Sequence, residues 1–234
     1  MLILAFETSA KAASVALMQG GKLLGESYQN TGLTHSQTLM CMAEDLIKNC
    51  GHTPGDIEAV AVAAGPGSFT GVRIGVAAAK GFAWGKELPC YGVSTLEAMA
   101  LQLGVYSGYV LPVMDARRNQ VYNALFHAAG GKLERIREDR AISLEDLEKE
   151  IKKLPEPIFL VGDGSALCYN TLEKTVPQLV SPPEHRMHQR AAGVGLAALK
   201  MMDAGMSGNG AELIPNYLRL SQAERERMEK NQEK

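Results

Sequence analysis

Two hydrophobic rhythms run along the chain, and the switches between them mark its elements. The apolar run Leu2–Phe6 ends at an acid, Glu7, and reads as a buried strand. A polar break follows, then a strand over Ser14–Met18, a Gly20-Gly21 pair and a strand from Lys22 to Tyr28. Two strands around adjacent glycines signal a hairpin, because glycine supplies the positive φ of a tight turn. The series returns in the second half. Tyr109–Met114 is apolar and ends at Asp115, Ala116–Gln120 is polar, Val121–Phe126 is a strand, and Gly130-Gly131 precedes another strand from Lys132. Both turns carry Gly-Gly-Lys-Leu. A third landmark agrees: Ala59–Ala63 runs into Gly65-Pro66-Gly67-Ser68, and Ile158–Val161 runs into Gly162-Asp163-Gly164-Ser165.

Helical spacing governs the intervening segments. Thr34-His35-Ser36-Gln37 has the form of a capping box, and the helix after it carries Leu39, Ala43, Leu46, Ile47 and Cys50 on one stripe, with Gly51 as its stop. A second helix is expected from about Thr70 to Trp84, with Gly71, Gly75, Ala79 and Ala83 making one face almost free of side chains. Such a face either receives the backbone of another helix or packs on the chain's own sheet or first helix. Ser94-Thr95-Leu96-Glu97 opens a third helix with a second capping box. Ser143–Lys153 and Gln189–Ala204 also read as helices.

Either two unrelated meanders share one α/β domain, or a hairpin-plus-strand unit has been duplicated. Three landmarks in the same order point to duplication. The expected fold class is α/β with two duplicated lobes of mixed sheet, the actin-like ATPase (ASKHA, ribonuclease-H-like) architecture. The lobes are expected at 1–104 and 105–220, followed by a charged tail, 221–234, that is exposed or disordered.

Composition narrows the functional classes. Hydrophobic residues make up 46% and charged residues 21%, as in an ordinary folded protein, and the net charge of −2 lacks the basic excess of a stand-alone nucleic-acid binder. Cys41, Cys50, Cys90 and Cys168 have no CxxC spacing and read as reduced apolar fillers of a cytoplasmic protein. MLILAF is a strand without a basic flank or a long apolar run, so no signal peptide or membrane span is expected.

Candidate chemistry collects at the carboxyl ends of the strands, where open α/β sheets bind ligands. Glu7, Thr8 and Ser9 end the first strand, and Asp115 is their counterpart. Gly65, Gly67 and Ser68 form a glycine-rich turn into a helix, which either offers amides to an anion or only permits a tight turn. It lacks the Gly-Lys-Ser/Thr ending of a Walker A loop. Gly162, Asp163 and Gly164 repeat the pattern, so these positions outline a nucleotide or anion cleft. Ala116-Arg117-Arg118 has no glycine, which argues against a second phosphate cradle, and its arginines either bind an anion through their side chains or lie on the surface. His185 and His188 sit in a proline-rich connection without an HExxH helix, so no metal site is expected.

The stretches AFETSAKAASVAL, THSQTL, AAGPGSFTGVRIGVAAAKGFAW, VSTLEAMA, MDARRNQVY and PNYLR make the chain resemble the TsaB (YeaZ) family from Met1 to about Leu220. The resemblance implies an actin-like fold and a part in installing threonylcarbamoyladenosine next to the anticodon of tRNAs that read codons beginning with adenine. It implies a partner subunit that activates a TsaD-like enzyme, with a TsaE-like ATPase in the assembly, tRNA reached through the complex, and a capacity to pair with itself. The paralogue TsaD carries metal-binding histidines in a His-Leu-Glu-Gly-His segment. The matching residues here are Thr95 and Met99, poor ligands for iron or zinc, so neither metal nor catalysis by this chain alone is implied. No cofactor of its own is implied either, with ATP or ADP and magnesium at most weakly held at the complex. The family resemblance assigns Leu39, Ala43, Leu46, Gly71, Gly75, Ala79 and Phe82 to the partner interface. The alternatives from other classes are an independent actin-like ATPase or small-molecule kinase and, more remotely, a metallopeptidase.

Overall fold

The computed structural model describes residues 1–103 and 107–219. Strands β1 (Leu2–Glu7), β2 (Ala13–Gln19), β3 (Lys22–Gln29), β4 (Ala59–Gly65) and β5 (Cys90–Ser94) form one sheet in the order β3-β2-β1-β4-β5. Strands β6 (Gly108–Asp115), β7 (Gln120–Ala129), β8 (Lys132–Ser143), β9 (Ile158–Val161) and β10 (Leu179–Val180) form a second in the order β10-β9-β6-β7-β8. The two orders are the same arrangement. Each sheet has an antiparallel hairpin on one side of its first strand and parallel strands on the other. The duplication is thus present in hydrogen-bond topology, and the architecture is that of the actin-like class.

The helices are α1 (His35–Asn49), α2 (Phe69–Trp84), α3 (Thr95–Gln102), α4 (Leu144–Ile151), α5 (Ser165–Leu172), the short α6 (Glu184–Met187) and α7 (Ala191–Asp203). Helix α1 ends as its sequence suggests: Gly51 has φ +78°, its amide donates to the Lys48 carbonyl, and the His52 amide donates to that of Ile47. Its start differs from the expected capping box. Thr34 makes no side-chain cap; the Gln37 amide bonds instead to the Thr34 backbone carbonyl at 2.9 Å. At α3 only half of the expected box forms. Ser94 Oγ accepts from the Glu97 amide at 3.1 Å, while the Glu97 carboxylate turns away to Arg135 and Lys200.

Strands β1–β5 and β6–β10 form separate sheets on either side of residues 104–106, whereas two helices cross between them. Helix α3 follows the first sheet, yet its Leu96 and Met99 pack with Val110, Phe126 and Val161 of the second. Helix α7 follows the second sheet, yet its Val194 and Ala198 pack with Ile3, Ala5 and Ala61 of the first. The two helices cross over each other at backbone contact, since a Cβ on Gly193 would lie 2.1 Å from the Ala98 carbonyl oxygen. Residues of the hairpin cap α7. The Ala191 amide donates to Ser14 Oγ and the Ala192 amide to Glu26 Oε1, placing a carboxylate at the positive helix end. Leu213, nearer the chain end, is buried in the core of the first lobe beside Gly92 and Ala64. The tail expected at 221–234 lies outside the described residues.

The small-residue face of α2 packs internally, which corrects its assignment to a partner interface. Gly71, Gly75, Ala79 and Ala83 are buried on the first sheet. A Cβ on Gly71 would lie 2.1 Å from the Thr8 carbonyl oxygen, and one on Gly75 would lie 2.4 Å from Thr8 Oγ1. Leu39, Ala43 and Leu46 are likewise buried in that core, with Phe82 half-buried against it. Gly75→Leu is therefore expected to act on folding. Overpacking at this contact should cost about 3 kcal/mol or more and lower the melting temperature by at least ~6 °C. A variant that melts like the parent but loses self-association would restore the interface reading.

Candidate functional site

A cavity of about 670 Å³ lies between the lobes, at the carboxyl ends of β1, β4, β6 and β9. Ser9, Gly67, Ser68, Asp115 and Asp163, five of the residues expected there, line it. Glu7 and Thr8 lie beneath them, both buried, with the Thr8 hydroxyl donating to the Gly71 carbonyl at 2.8 Å. Gly65, Gly162 and Gly164 do not line the cavity.

The glycine-rich turn brings segments of the chain together. The Ser68 amide donates to the Ser9 carbonyl at 2.6 Å, and a Cβ on Gly67 would lie 2.5 Å from that same oxygen. Gly65, at φ +115°, faces the Asn216 carbonyl oxygen, which stands 2.5 Å from where its Cβ would be. In the second lobe the Gly162 amide donates to Met187 and the Gly164 amide to Val113. Of the two readings the sequence left open, the tight turn accounts for these groups. Amides of Ser68, Gly162 and Gly164 are spent on the chain itself.

Segment 209–219 was not anticipated as part of the site. The Asn216 amide donates to Ala64 at 2.6 Å, Tyr217 stacks on Phe69 with ring centroids 4.8 Å apart, and Arg219 donates to the Ala116 carbonyl at 2.5 Å. The segment thus straps the first lobe to the loop after β6 and forms one wall of the cavity through Asn216–Arg219. Its only signal in the sequence was the PNYLR stretch, whose placement depends on contacts with residues distant in the chain.

In the loop that Arg219 reaches, Arg117, Arg118 and Asn119 take φ values of +65°, +56° and +55°. Left-handed conformations of this kind cost of order 1 kcal/mol each in residues other than glycine. The loop is held by the Arg117 amide on Asp115 Oδ1 at 2.7 Å and by the Leu144 amide on the Asn119 carbonyl at 3.1 Å.

The floor is acidic but weakly charged. Burial pushes the Glu7 carboxyl up to about 7; the Ser9 amide on Oε1 at 2.6 Å opposes the rise, and the Asp163 carboxylate adds to it. Glu7 Oε2 and Ser9 Oγ are buried without a partner among the described residues. Asp163 is also raised, chiefly by burial, against a bond from Gln189 at 3.0 Å. Thr95 and Met99 are fully buried packing groups, with Met99 against Gly162. No cluster of three metal-ligating side chains occurs among the described residues.

The Glu7 shift fixes a sign. A carboxyl that holds its proton more tightly in the fold contributes stability that is fully present below its unfolded value near 4.5 and is lost as the pH rises to about 7. Glu7→Gln should then leave stability nearly unchanged at pH 4.5 and raise it at pH 8 by up to about 3 kcal/mol, measured by denaturant unfolding. A constant difference between variant and parent across that range would contradict a neutral Glu7.

Comparison with known proteins places this geometry. A family model described as TsaD, tRNA N6-adenosine threonylcarbamoyltransferase, matches residues 29–227. The tRNA threonylcarbamoyladenosine biosynthesis protein TsaB of Bacillus subtilis is 32% identical over 227 residues, covering 96% of this chain and 96% of that protein. Its Escherichia coli namesake is 36% identical over 167 residues, covering 70% and 72%. YeaZ from Pseudomonas aeruginosa aligns with a TM-score of 0.76 at 25% identity, over 93% of this chain and 99% of that one. The (R)-2-hydroxyglutaryl-CoA dehydratase component A of Acidaminococcus fermentans, at 10% identity and a TM-score of 0.52 over 87% and 99%, shares the fold alone. The 32% identity to the Bacillus subtilis protein over 96% of both chains, with the same fold in YeaZ, shows that the chain belongs to the TsaB (YeaZ) family.

Proposed function

We propose that this chain is a non-catalytic partner subunit in tRNA threonylcarbamoyladenosine biosynthesis. It binds and activates a TsaD-like enzyme on which the threonylcarbamoyl group is transferred to adenosine, and a TsaE-like ATPase joins the assembly. The observation that carries this reading is the end-to-end match to a protein named for that pathway. Two features of the site support it. The positions of the paralogue's metal histidines are filled by buried Thr95 and Met99, and the Ser68, Gly162 and Gly164 amides of the glycine-rich turns donate within the chain. An independent ATPase would need those amides for phosphate.

The surface offered to the partner is the outer face of α1 and α2, one turn of side chains away from the buried stripe. Met40 and Trp84 are 44% and 83% exposed, and Ala77 and Gly81 lie in the open between helix turns. Small residues four apart allow close approach of another helix, and flanking Met and Trp supply apolar area to bury. Among the described residues, no helix is long and apolar enough to cross a membrane.

Reconstitution with the TsaD-like and TsaE-like proteins of the same organism tests the role. Modified adenosine, quantified by mass spectrometry, should depend on this chain, and the chain alone should produce none. Ala77→Arg should keep the parent's melting temperature and weaken association with the TsaD-like protein by a factor of ten or more. Modification that proceeds equally without the chain would sink the proposed role. Unaltered association of the variant would move the interface elsewhere.

A further inference from the structure

The mouth of the interlobe cleft concentrates positive charge that the chain as a whole does not carry. We propose that this mouth binds the phosphate backbone of single-stranded RNA directly. The choice of RNA among polyanions rests on the proposed role in tRNA modification. The site itself stands on side-chain geometry.

Four segments distant in sequence meet there: 9–11, 66–73, 115–119 and 214–219. Lys11, Arg117 and Arg219 line the cavity, Arg73 reaches Tyr217 on its wall, and Arg118 follows Arg117 in the same loop; the single acid in these segments is Asp115, with Asp163 also lining the cavity. Lys11, Arg73, Arg117 and Arg118 are exposed. None of these five makes an ion pair among the described residues. Elsewhere among the described residues, Arg135, Arg137, Arg140, Lys149, Arg190 and Lys200 are each paired with a carboxylate, while Lys22, Lys48, Lys132, Lys152 and Lys153 also stand without an ion pair; the mouth differs in drawing unpaired cations from four segments to one cavity. Cations left unpaired at one place, on a chain of net charge −2, make a local positive field that attracts phosphates and releases their counterions.

The group is also held in place. Arg73 lies 3.8 Å above the Phe69 ring and donates to the Tyr217 hydroxyl at 2.7 Å. Arg219 is fixed by the Ala116 carbonyl. The left-handed run at 117–119 is the tight turn of the β6–β7 hairpin, closed by the Gln120 amide on the Arg117 carbonyl, and it holds Arg117 on the cavity wall. Tyr217, 41% exposed beside these cations, is an aromatic platform for a base. Cations interleaved with an exposed aromatic ring are the usual composition of a single-strand site. Glu7 below, with its carboxyl raised to about 7 by burial, carries less than a full negative charge at neutral pH.

The test uses the full chain alone and a fluorescent single-stranded RNA of about a dozen nucleotides, followed by anisotropy over a series of salt concentrations. Arg117→Ala with Arg118→Ala should weaken binding about tenfold or more at low salt. It should also flatten the plot of log affinity against log salt by about 1.4, since each phosphate contact on a single strand contributes about 0.7. The melting temperature should not change. Lys152→Ala with Lys153→Ala, two exposed lysines outside the cavity lining, should bind as the parent does. RNA binding that is undetectable at low salt, or an unchanged slope in the arginine variant, or an equal loss in the lysine control would overturn the proposal. Complete displacement of the RNA by millimolar pyrophosphate would make the site a nucleotide pocket and overturn it too. Because the assay contains no catalytic partner, its failure leaves the reconstitution result untouched, and the reverse also holds.

Discussion

The backbone contact between α3 and α7 sets the form of the molecule. Gly193 lies against the Ala98 carbonyl because any larger residue would separate the helices. That closeness lets each helix cover the sheet of the opposite lobe. Neither sheet has a complete core without the helix supplied by the other half, so the lobes stabilise one another. An ion cluster locks the same junction. Arg135 of β8 joins Glu97 of α3 at 2.9 Å and Asp139 at 2.7 Å, and Lys200 of α7 reaches Glu97 at 2.6 Å. Burial works against the Glu97 charge, but the bonds from Lys200 and Arg135 hold its carboxyl below the usual range. The cleft lies between two bodies whose spacing these contacts fix.

Much of this was legible in the sequence because it is encoded locally. Strand alternation, paired glycines and the repeated order of landmarks identify the duplication, and topology reproduces it strand for strand. The misreadings come where a local pattern has two tertiary uses. A stripe of glycine and alanine is equally suited to a neighbouring helix or to its own sheet, and only the position of Thr8 under Gly71 and Gly75 decides. The Thr34 pattern competes with a backbone turn through the same residue, and the backbone bond wins. The exchange of α3 and α7 between lobes had no signature, since a helix carries an apolar face without stating which sheet it meets. The strap was hidden for the same reason. Asn216, Tyr217 and Arg219 acquire their roles from Ala64, Phe69 and Ala116, which lie more than half the chain away in two of the three cases.

At the cleft, the sequence located the site better than it described it. Ser9, Gly67, Ser68, Asp115 and Asp163 converge on one cavity as expected. Their neighbours have been turned to internal use. The oxygens of Ser9 and Asn216 approach the glycines where a phosphate cradle would keep space. A buried carboxyl shifted to about 7 is a poor magnesium anchor at neutral pH, because the metal must first displace its proton. The cleft takes its shape from the ends of the two sheets, while the Ser68, Gly162 and Gly164 amides at its edge donate within the chain.

Net charge conceals the remaining chemistry. A value of −2 argues against a stand-alone nucleic-acid binder only if the charges are spread evenly, and here they are not. Acids on β8, α3 and α4 are consumed in pairs with Arg135, Arg140, Lys149 and Lys200, so those surfaces are locally balanced. The cations at the cleft mouth share their cavity with two acids, Asp115 and Asp163, the second raised above the usual carboxylate range chiefly by burial. At physiological salt that field extends about 8 Å, which is the scale of one or two phosphates. A site of that reach would not hold a whole tRNA against the repulsion of the rest of the chain. On the proposed role, such a site would act on a strand already delivered by a partner, because its short reach suits local contacts with the phosphate backbone.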